Sequence, residues 1–464
     1  MTAFPGLRFH FSHGILFFFD ETTSCLMKFR TRNHVPRRRQ ILPVLLAILC
    51  AVPFSHGAEP QSLSRDEAIR LAFRNNRELA VAVLEIDRAK THLRWSGRLE
   101  NPELEFSLKR DGVGNDEDEG NYEVAFSQQF PITARLKQER QLRSHQVILA
   151  EAEIAERKRQ LAGEVDLALV SLLMIREKIT VSRQLVDLNE EIIEFLKRQS
   201  EEGVISSLDV MQAKIASRTL EQQAKKLATE ETHHLLALNK VLGLSPDTTI
   251  NIEESTHLPQ AKPSMEASLR TILPRRPDYV LALEKIDAAR AALTFEEAKR
   301  WQDVSVRLFV EQQDSVDLPN GLDGNTFAGF GISIPLPLRK RNQEGIEQAQ
   351  INQQAADKEV EAARFRIQAE CEEAFHERSD TWSLARDASG ELLSLAEKNE
   401  EEFRKAYQQG QASLIQMQRA QEQVLEVKHT IVEFLAAYHE AEARVRLATG
   451  AYPGQTIETS KNPK

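Results

Sequence analysis

Residues 78–89 read ELAVAVLEIDRA, and residues 278–289 read DYVLALEKIDAA. The two stretches align without a gap at an offset of 200. The match continues through Leu93 and Leu293, then through Leu104, Phe106 and Leu108 against Val304, Val306 and Leu308. Phe130-Pro131-Ile132 matches Ile334-Pro335-Leu336 at offset 204, and Gly203, Ser206 and Gly243 match Gly410, Ser413 and Gly450 at offset 207. Proline is absent for 114 residues after Pro131 and for 115 residues after Pro337. Two copies are too few for a stacked solenoid, so the pattern reads as a pseudo-symmetric duplication.

Both copies have one layout. The first repeat, 58–250, holds a helix at 77–99, a hairpin at 103–130, a long helix at 132–202 and a return helix at 204–243. A linker at 251–264 follows. The second repeat, 265–453, holds a helix at 277–300, a hairpin at 303–334, a long helix at 338–409 and a return helix at 411–450, and a polar tail ends the chain at 454–464. The hairpins are read from period-two alternation on either side of Gly/Asn/Asp-rich loops. In the first long helix the apolar positions Leu161, Val165, Ala168, Leu172, Ile175 and Ile179 recur at coiled-coil spacing. A second run, Val181, Leu185, Leu188, Ile192 and Phe195, is slightly offset from it. At 1.5 Å rise per residue each long helix spans roughly 100 Å.

The hairpins raise a closure problem. Four strands cannot form a membrane barrel, because about eight is the least that fills one. Two hairpins also make no core alone. Several chains must therefore pool strands. Alternation puts Tyr122, Val124, Phe126 and Phe130 on one face in copy one, and Phe330, Ile332 and Ile334 on one face in copy two; this is the face that meets lipid if the pooled strands form a membrane barrel.

Composition agrees with a long-helix exported protein. Glycine and proline together number 36 of 464 residues, about 8%, below the roughly 12% of average usage. Arg37, Arg38 and Arg39 precede an apolar run from Ile41 to Phe54, with small residues at Ser55 and Gly57. That is the secretory pattern, with cleavage expected near Gly57 or Ala58. Residues 1–26 fit no such pattern, and Met27 is an alternative start. Leu49 before Cys50 argues against lipid attachment. Loss of residues 1–57 leaves 53 basic against 68 acidic residues, a net charge of −15. That balance argues against nucleic acid as a partner. Only Cys371 then remains, so no intrachain disulfide is expected.

Several residues carry the resemblance to a family. They are the run 63–72 (LSRDEAIRLA), the strand start Asn101-Pro102-Glu103-Leu104 and the run 203–213 (GVISSLDVMQA). On these, on their order and on the duplication, the chain resembles the TolC-like outer-membrane efflux proteins over about residues 62–453. Residues 334–338 (IPLPL) followed by 341–345 (RNQEG) look like the CzcC-like branch, which serves heavy-metal cation pumps. After Pro131 the chain reads Ile-Thr-Ala-Arg-Leu-Lys, where that branch shows a Gly-Gly-Lys-Arg-like run.

The resemblance implies a mainly α chain with a small β part. Duplicated coiled-coil hairpins would form a periplasmic tunnel, and four strands per chain would pool into a trimeric twelve-stranded outer-membrane barrel. It implies a homotrimer working with a periplasmic adaptor and an inner-membrane pump of the resistance-nodulation-division type. Most of the chain would be periplasmic, with outer-membrane lipid around the barrel. The conduit would be passive, with no enzyme activity, cofactor or catalytic residue. Its cargo would be heavy-metal cations of the cobalt, zinc or cadmium kind, or alternatively drugs or polypeptides.

Gly203, Ser206, Asp209, Gly410 and Ser413 mark the tips where the long helices reverse. The resemblance makes these tips the aperture and the adaptor contact, while the simpler reading is a glycine stop followed by a serine cap. Glu201 and Glu202 would form an acidic ring if they face the axis in three copies; otherwise they are a solvated helix end. His233 and His234 point about 100° apart on a helix and have no ligand-like partners, so no metal site is expected. Cys371 lies on an apolar step with Ile367 and Ala374 and reads as a buried small residue. The acidic loop 116–119 reads as an extracellular barrel loop. A periplasmic coiled-coil adaptor or scaffold is the alternative from another class.

Overall fold

The computed structural model describes residues 61–110, 120–203, 206–253, 256–264, 268–317 and 321–452. The export signal, the Met27 start, loop 116–119 and the polar tail lie outside the described residues. The described residues open with β1 (Gln61–Leu63), α1 (Arg65–Asn75) and α2 (Arg77–Trp95). Then come β2 (Glu103–Arg110), β3 (Gly120–Phe130), α3 (Arg135–Glu201) and α4 (Ser207–Leu242). After β4 (Ile250–Ile252), the short α5 (Leu269–Ile272) and a 3₁₀ turn, the second repeat holds α6 (Pro277–Ala298), β5 (Val304–Asp317) and β6 (Gly321–Ser333). It ends with α7 (Gln343–Asp387), a π turn at Ala388–Leu392, α8 (Leu393–Gln408) and α9 (Leu414–Thr449).

Four differences from the sequence reading have physical causes. First, the run LSRDEAIRLA is helical from Arg65 onward: Ser64 is the N-cap of α1, and its amide donates to the Glu67 carboxylate at 3.0 Å. The helix expected to reach residue 99 stops at Trp95, because Ser96 is extended and Gly97 takes φ +68°. Second, the linker is not wholly irregular, since β4 pairs in parallel with β1, Leu63 opposite Ile252. Third, the second long helix begins only at Gln343, after Asn342 in a left-handed conformation, and the π turn interrupts it. A π turn accommodates an extra residue without ending the helix. Fourth, the second apolar run on α3 is only partly enclosed. Leu185 and Leu188 are half-buried, while Ser182 and Asn189 are buried in the seam, and Asn189 Nδ2 donates to the Leu185 carbonyl at 3.0 Å.

The duplication extends to the joints between elements. Gly243 ends α4 at φ +71° and Gly450 ends α9 at φ +66°. A Cβ on Gly243 would fall closer than 3.0 Å to the Asn75 carbonyl oxygen, and one on Gly450 closer than 3.0 Å to that of Arg275. Both positions therefore need glycine twice over, for handedness and for close approach. Beside them, Asn76 Nδ2 donates to the Val241 carbonyl at 2.9 Å, and Arg276 Nη1 donates to the Ala448 carbonyl at 2.7 Å. Different side chains make the same bridge at equivalent places.

The main core lies where α1, α3, α4 and β4 meet. It contains Ile69, Val165, Leu169, Leu172, Leu238, Leu242 and Ile250, each 1% exposed or less. Arg276 is 1% exposed, yet fully paired: it holds Asp278 through two hydrogen bonds and Glu370 through a third. Burial opposes ionisation of Asp278, but Arg276, with Arg159 and Arg366, outweighs it and keeps the carboxyl below its usual range. Cys371 is buried; its Sγ donates to the Ala448 carbonyl at 3.4 Å, and burial pushes its thiol pKa up.

Candidate functional site

The two hairpins form one sheet. Strand order is β2-β3-β5-β6, all antiparallel, so β2 and β6 each keep one unpaired edge. Register decides which residues share a face, because a residue and its cross-strand partner point the same way. Leu104, Phe126, Leu308 and Phe330 form one row across all four strands. Phe106, Val124, Val310 and Ala328 form the next. Tyr122 opposes Leu108, and Ile332 opposes Val306 on the same face. Phe130 opposes Val304 at the foot of the sheet, and Ile334 lies one residue past β6, also exposed.

The candidate face is therefore uncovered and apolar across its two middle rows, while Gln128 enters the row of Val306 and Ile332, and Gln312 and Thr326 the row of Leu108 and Tyr122. Phe126 is 44% exposed, Phe106 72% and Phe330 73%. Leu104, Phe106, Leu108, Leu308 and Val310 extend it beyond the seven residues singled out from sequence. Their signal was the same alternation, and what the sequence lacked was the pairing of β3 with β5.

The opposite face is mostly polar, with Ala125, Phe309 and Phe327 as its apolar members. Its rows are Glu103, Ser127, Arg307 and Gly331; Glu105, Ala125, Phe309 and Gly329; Ser107, Glu123, Glu311 and Phe327. Arg307 Nη2 pairs with both Glu123 and Glu105, the latter at 3.2 Å. Asn121 Nδ2 donates to Glu311. The Phe309 ring lies where a side chain on Gly329 would stand. One apolar face and one hydrogen-bonded face is the division that a barrel wall requires.

Ties below the sheet fix it on the helices. Thr133 Oγ1 donates to the Ala298 carbonyl at 2.8 Å, Arg135 pairs with Asp303 at 2.5 Å, and Asn342 Nδ2 donates to the Glu296 carbonyl at 2.8 Å. Each tie joins the start of a long helix to the end of α6 or the approach to β5.

At the far end of the long helices stand the tips. Gly203 takes φ +72° and Gly410 φ +69°, and a Cβ on either would meet nothing within 4 Å. Ser206 Oγ accepts from the Leu208 amide at 3.1 Å, capping α4. Ser413 caps α9 in a capping box with Gln416, whose Oε1 accepts from the Ser413 amide at 2.8 Å. The side chain of Asp209 lies outside the described residues. Glu201 and Glu202 are exposed, and Glu202 accepts from Gln199 at 3.2 Å. Past the first tip, Leu208, Met211 and Ile215 form an exposed apolar stripe on α4, which the sequence reading missed.

No helix among the described residues is long and apolar enough to cross a membrane. Among the same residues, no group of three or more His, Cys, Asp or Glu is placed to hold a metal ion.

The comparisons with known proteins agree with this geometry. The family model for outer membrane efflux protein matches residues 68–244 and 269–451. No curated protein matches the chain. Among solved structures, the Campylobacter jejuni CmeC outer membrane channel superposes with a TM-score of 0.68 at 16% identity, covering 86% of this chain and 88% of its own. The Vibrio cholerae outer membrane protein VceC gives 0.64 at 18%, covering 83% and 96%. CusC, whose structures describe folding and transmembrane channel formation, gives 0.62 at 20%, covering 83% and 91%. The paired family matches fall on the two copies of the repeat, and together they take in most of the chain: it belongs to the outer membrane efflux protein family.

Proposed function

We propose that the chain is the outer-membrane channel of a tripartite efflux system. Three copies pool their strands into a twelve-stranded barrel, and their helices continue it as a periplasmic tunnel. The observation that carries this reading is the four-stranded sheet with two open edges and an uncovered apolar face. In hydrocarbon, unpaired backbone groups at such edges cost several kcal/mol each. Lateral pairing of β6 with β2 of a second copy removes that cost, and closure leaves no edge at all.

The tunnel passes substrate from an inner-membrane pump of the resistance-nodulation-division type through a periplasmic adaptor docked at the Gly203 and Gly410 tips. No bond is broken in transit. The polar sheet face carries Glu103, Glu105, Glu123 and Glu311 against Arg307 and Lys109, a balance that favours cations within a barrel. That supports heavy-metal cations as cargo, with drugs or polypeptides as the alternative. Deleting the gene and measuring growth on cobalt, zinc, cadmium, copper and a drug panel separates the two. Sensitivity to drugs alone overturns the metal assignment. A purified chain that is a monodisperse monomer in detergent and still conducts in bilayers overturns the channel architecture.

A further inference from the structure

The apolar sheet face ends, on its helical side, in a border of cations and indoles. Ile334, Leu336 and Leu338 carry the row of Phe330 and Ile332 past β6 and are 55%, 67% and 75% exposed. Arg339, Lys340 and Arg341 follow in sequence, all exposed. Arg300 and Trp301 stand just before β5, with Trp301 45% exposed. On the β2 side, Arg98 lies 4.1 Å over the Trp95 ring. None of these five cations is ion-paired with a carboxylate among the described residues.

Two of the cations share a cleft. Arg300, Trp301, Leu336, Pro337, Leu338 and Arg341 line a cavity of about 780 Å³ at the foot of the sheet. Arg341 Nε donates to the Pro337 carbonyl at 2.8 Å, which anchors the guanidinium and leaves its terminal nitrogens without a partner among the described residues. Glu347, the one carboxylate in the lining, lies on α7, beyond the basic segment. An apolar wall, an indole and two guanidinium groups at the edge of an apolar face match the chemistry of a lipid at the membrane border.

We propose that this cleft binds anionic phospholipid. Arg300 and Arg341 engage the headgroup phosphate, Trp301 sits at the interface, and the acyl chains lie along Leu338, Leu336 and the sheet face above. The inference rests on the proposal that this face meets lipid. It adds a headgroup preference that apolar burial alone does not supply.

Native mass spectrometry of the purified full-length protein, in a mixture of phosphatidylglycerol and phosphatidylcholine, tests it. Wild type should retain phosphatidylglycerol selectively. Arg300→Gln with Arg341→Gln should lose that selectivity by about fivefold per charge removed, whereas the double change to Lys should keep most of it. Millimolar inorganic phosphate should not displace the lipid. Undiminished selectivity in the Gln variant overturns the proposal, as does displacement by phosphate, which would mark a simple anion site. Dissociation of the Gln variant into monomers also overturns it, by making the cleft a contact between copies. A wild type that conducts in bilayers without selectivity sinks only this inference. A wild type that forms no conducting oligomer sinks the channel reading with it.

Discussion

Arg446 Nε lies 2.8 Å from Asp166 Oδ2, and the two residues belong to different copies of the repeat. The Asp166 side chain has 0% exposure. Arg65 Nε lies 2.9 Å from Asp166 Oδ1, and the Tyr452 hydroxyl donates to Asp166 Oδ2 at 3.2 Å. Burial opposes the charge on Arg446, but Asp166 outweighs it and raises the pKa of that guanidinium. Burial, reinforced by Asp166, also pushes the Tyr452 hydroxyl up, so it stays a donor at every physiological pH. One carboxylate thus ties α1, α3 and α9 together.

Removing that carboxylate should cost more than removing an ordinary surface charge. Asp166→Ala leaves Arg65 and Arg446 facing a buried void, and breaking such a pair costs roughly 3–5 kcal/mol. The expected outcome is a large fall in the midpoint of heat dissociation of the purified protein, larger than for Glu85→Ala, whose partner Arg88 is exposed. Equal midpoints for the two variants would show that the network contributes nothing.

Acid should loosen the same region through His439. Burial holds its pKa below the ordinary 6.5, and Arg65 and Arg446 add to this, against a hydrogen bond to the Thr256 backbone and the charge of Glu442. A histidine with a depressed folded pKa binds protons more readily when unfolded. Its contribution to stability is therefore complete above pH 6.5 and falls as the pH drops through and below that value. Thermal midpoints measured from pH 7.5 to 5 should decline, and His439→Gln should flatten the decline; a parallel slope in that variant would exclude the residue.

The two sheet faces should respond oppositely to a charge. Phe126→Arg places a guanidinium on the uncovered apolar face and should cost roughly 2–4 kcal/mol near mid-membrane. Ser127→Arg places the same group on the polar face. Outer-membrane yield should collapse for the first and hold for the second. Normal yield of the Phe126 variant would remove the lipid assignment from Tyr122, Val124, Phe130, Phe330, Ile332 and Ile334 as well.

Glycine substitutions should separate the tips from the joints. At Gly203 and Gly410 a new side chain has open space and meets only the left-handed backbone penalty, about 1–2 kcal/mol. Gly203→Val and Gly410→Val should leave oligomer levels intact, since the sheet lies roughly 100 Å away. Adaptor cross-linking and efflux-dependent resistance should fall together. Gly243→Ala, which drives a Cβ into the Asn75 backbone, should instead lower the amount of assembled protein. Normal cross-linking and resistance in both tip variants would refute the docking assignment.

The sequence alone determined the architecture, because its signals are local. Period-two alternation at Leu104, Phe106 and Leu108 and the coiled-coil spacing from Leu161 to Ile179 need no knowledge of what packs where. The duplication could likewise be read from matched glycines and prolines. Only the tertiary structure decided how the elements meet. The antiparallel pairing of β3 with β5, which turns two hairpins into one sheet with an uncovered apolar face, joins residues 174 to 194 positions apart. The Asp166–Arg446 pair spans 280 residues and carries no periodic signal. The Asn76 and Arg276 bridges use different side chains for one task, so comparing the two copies by residue type hides them. Such contacts depend on where helices cross, and crossing is set by packing over the whole chain, not by any short stretch of it.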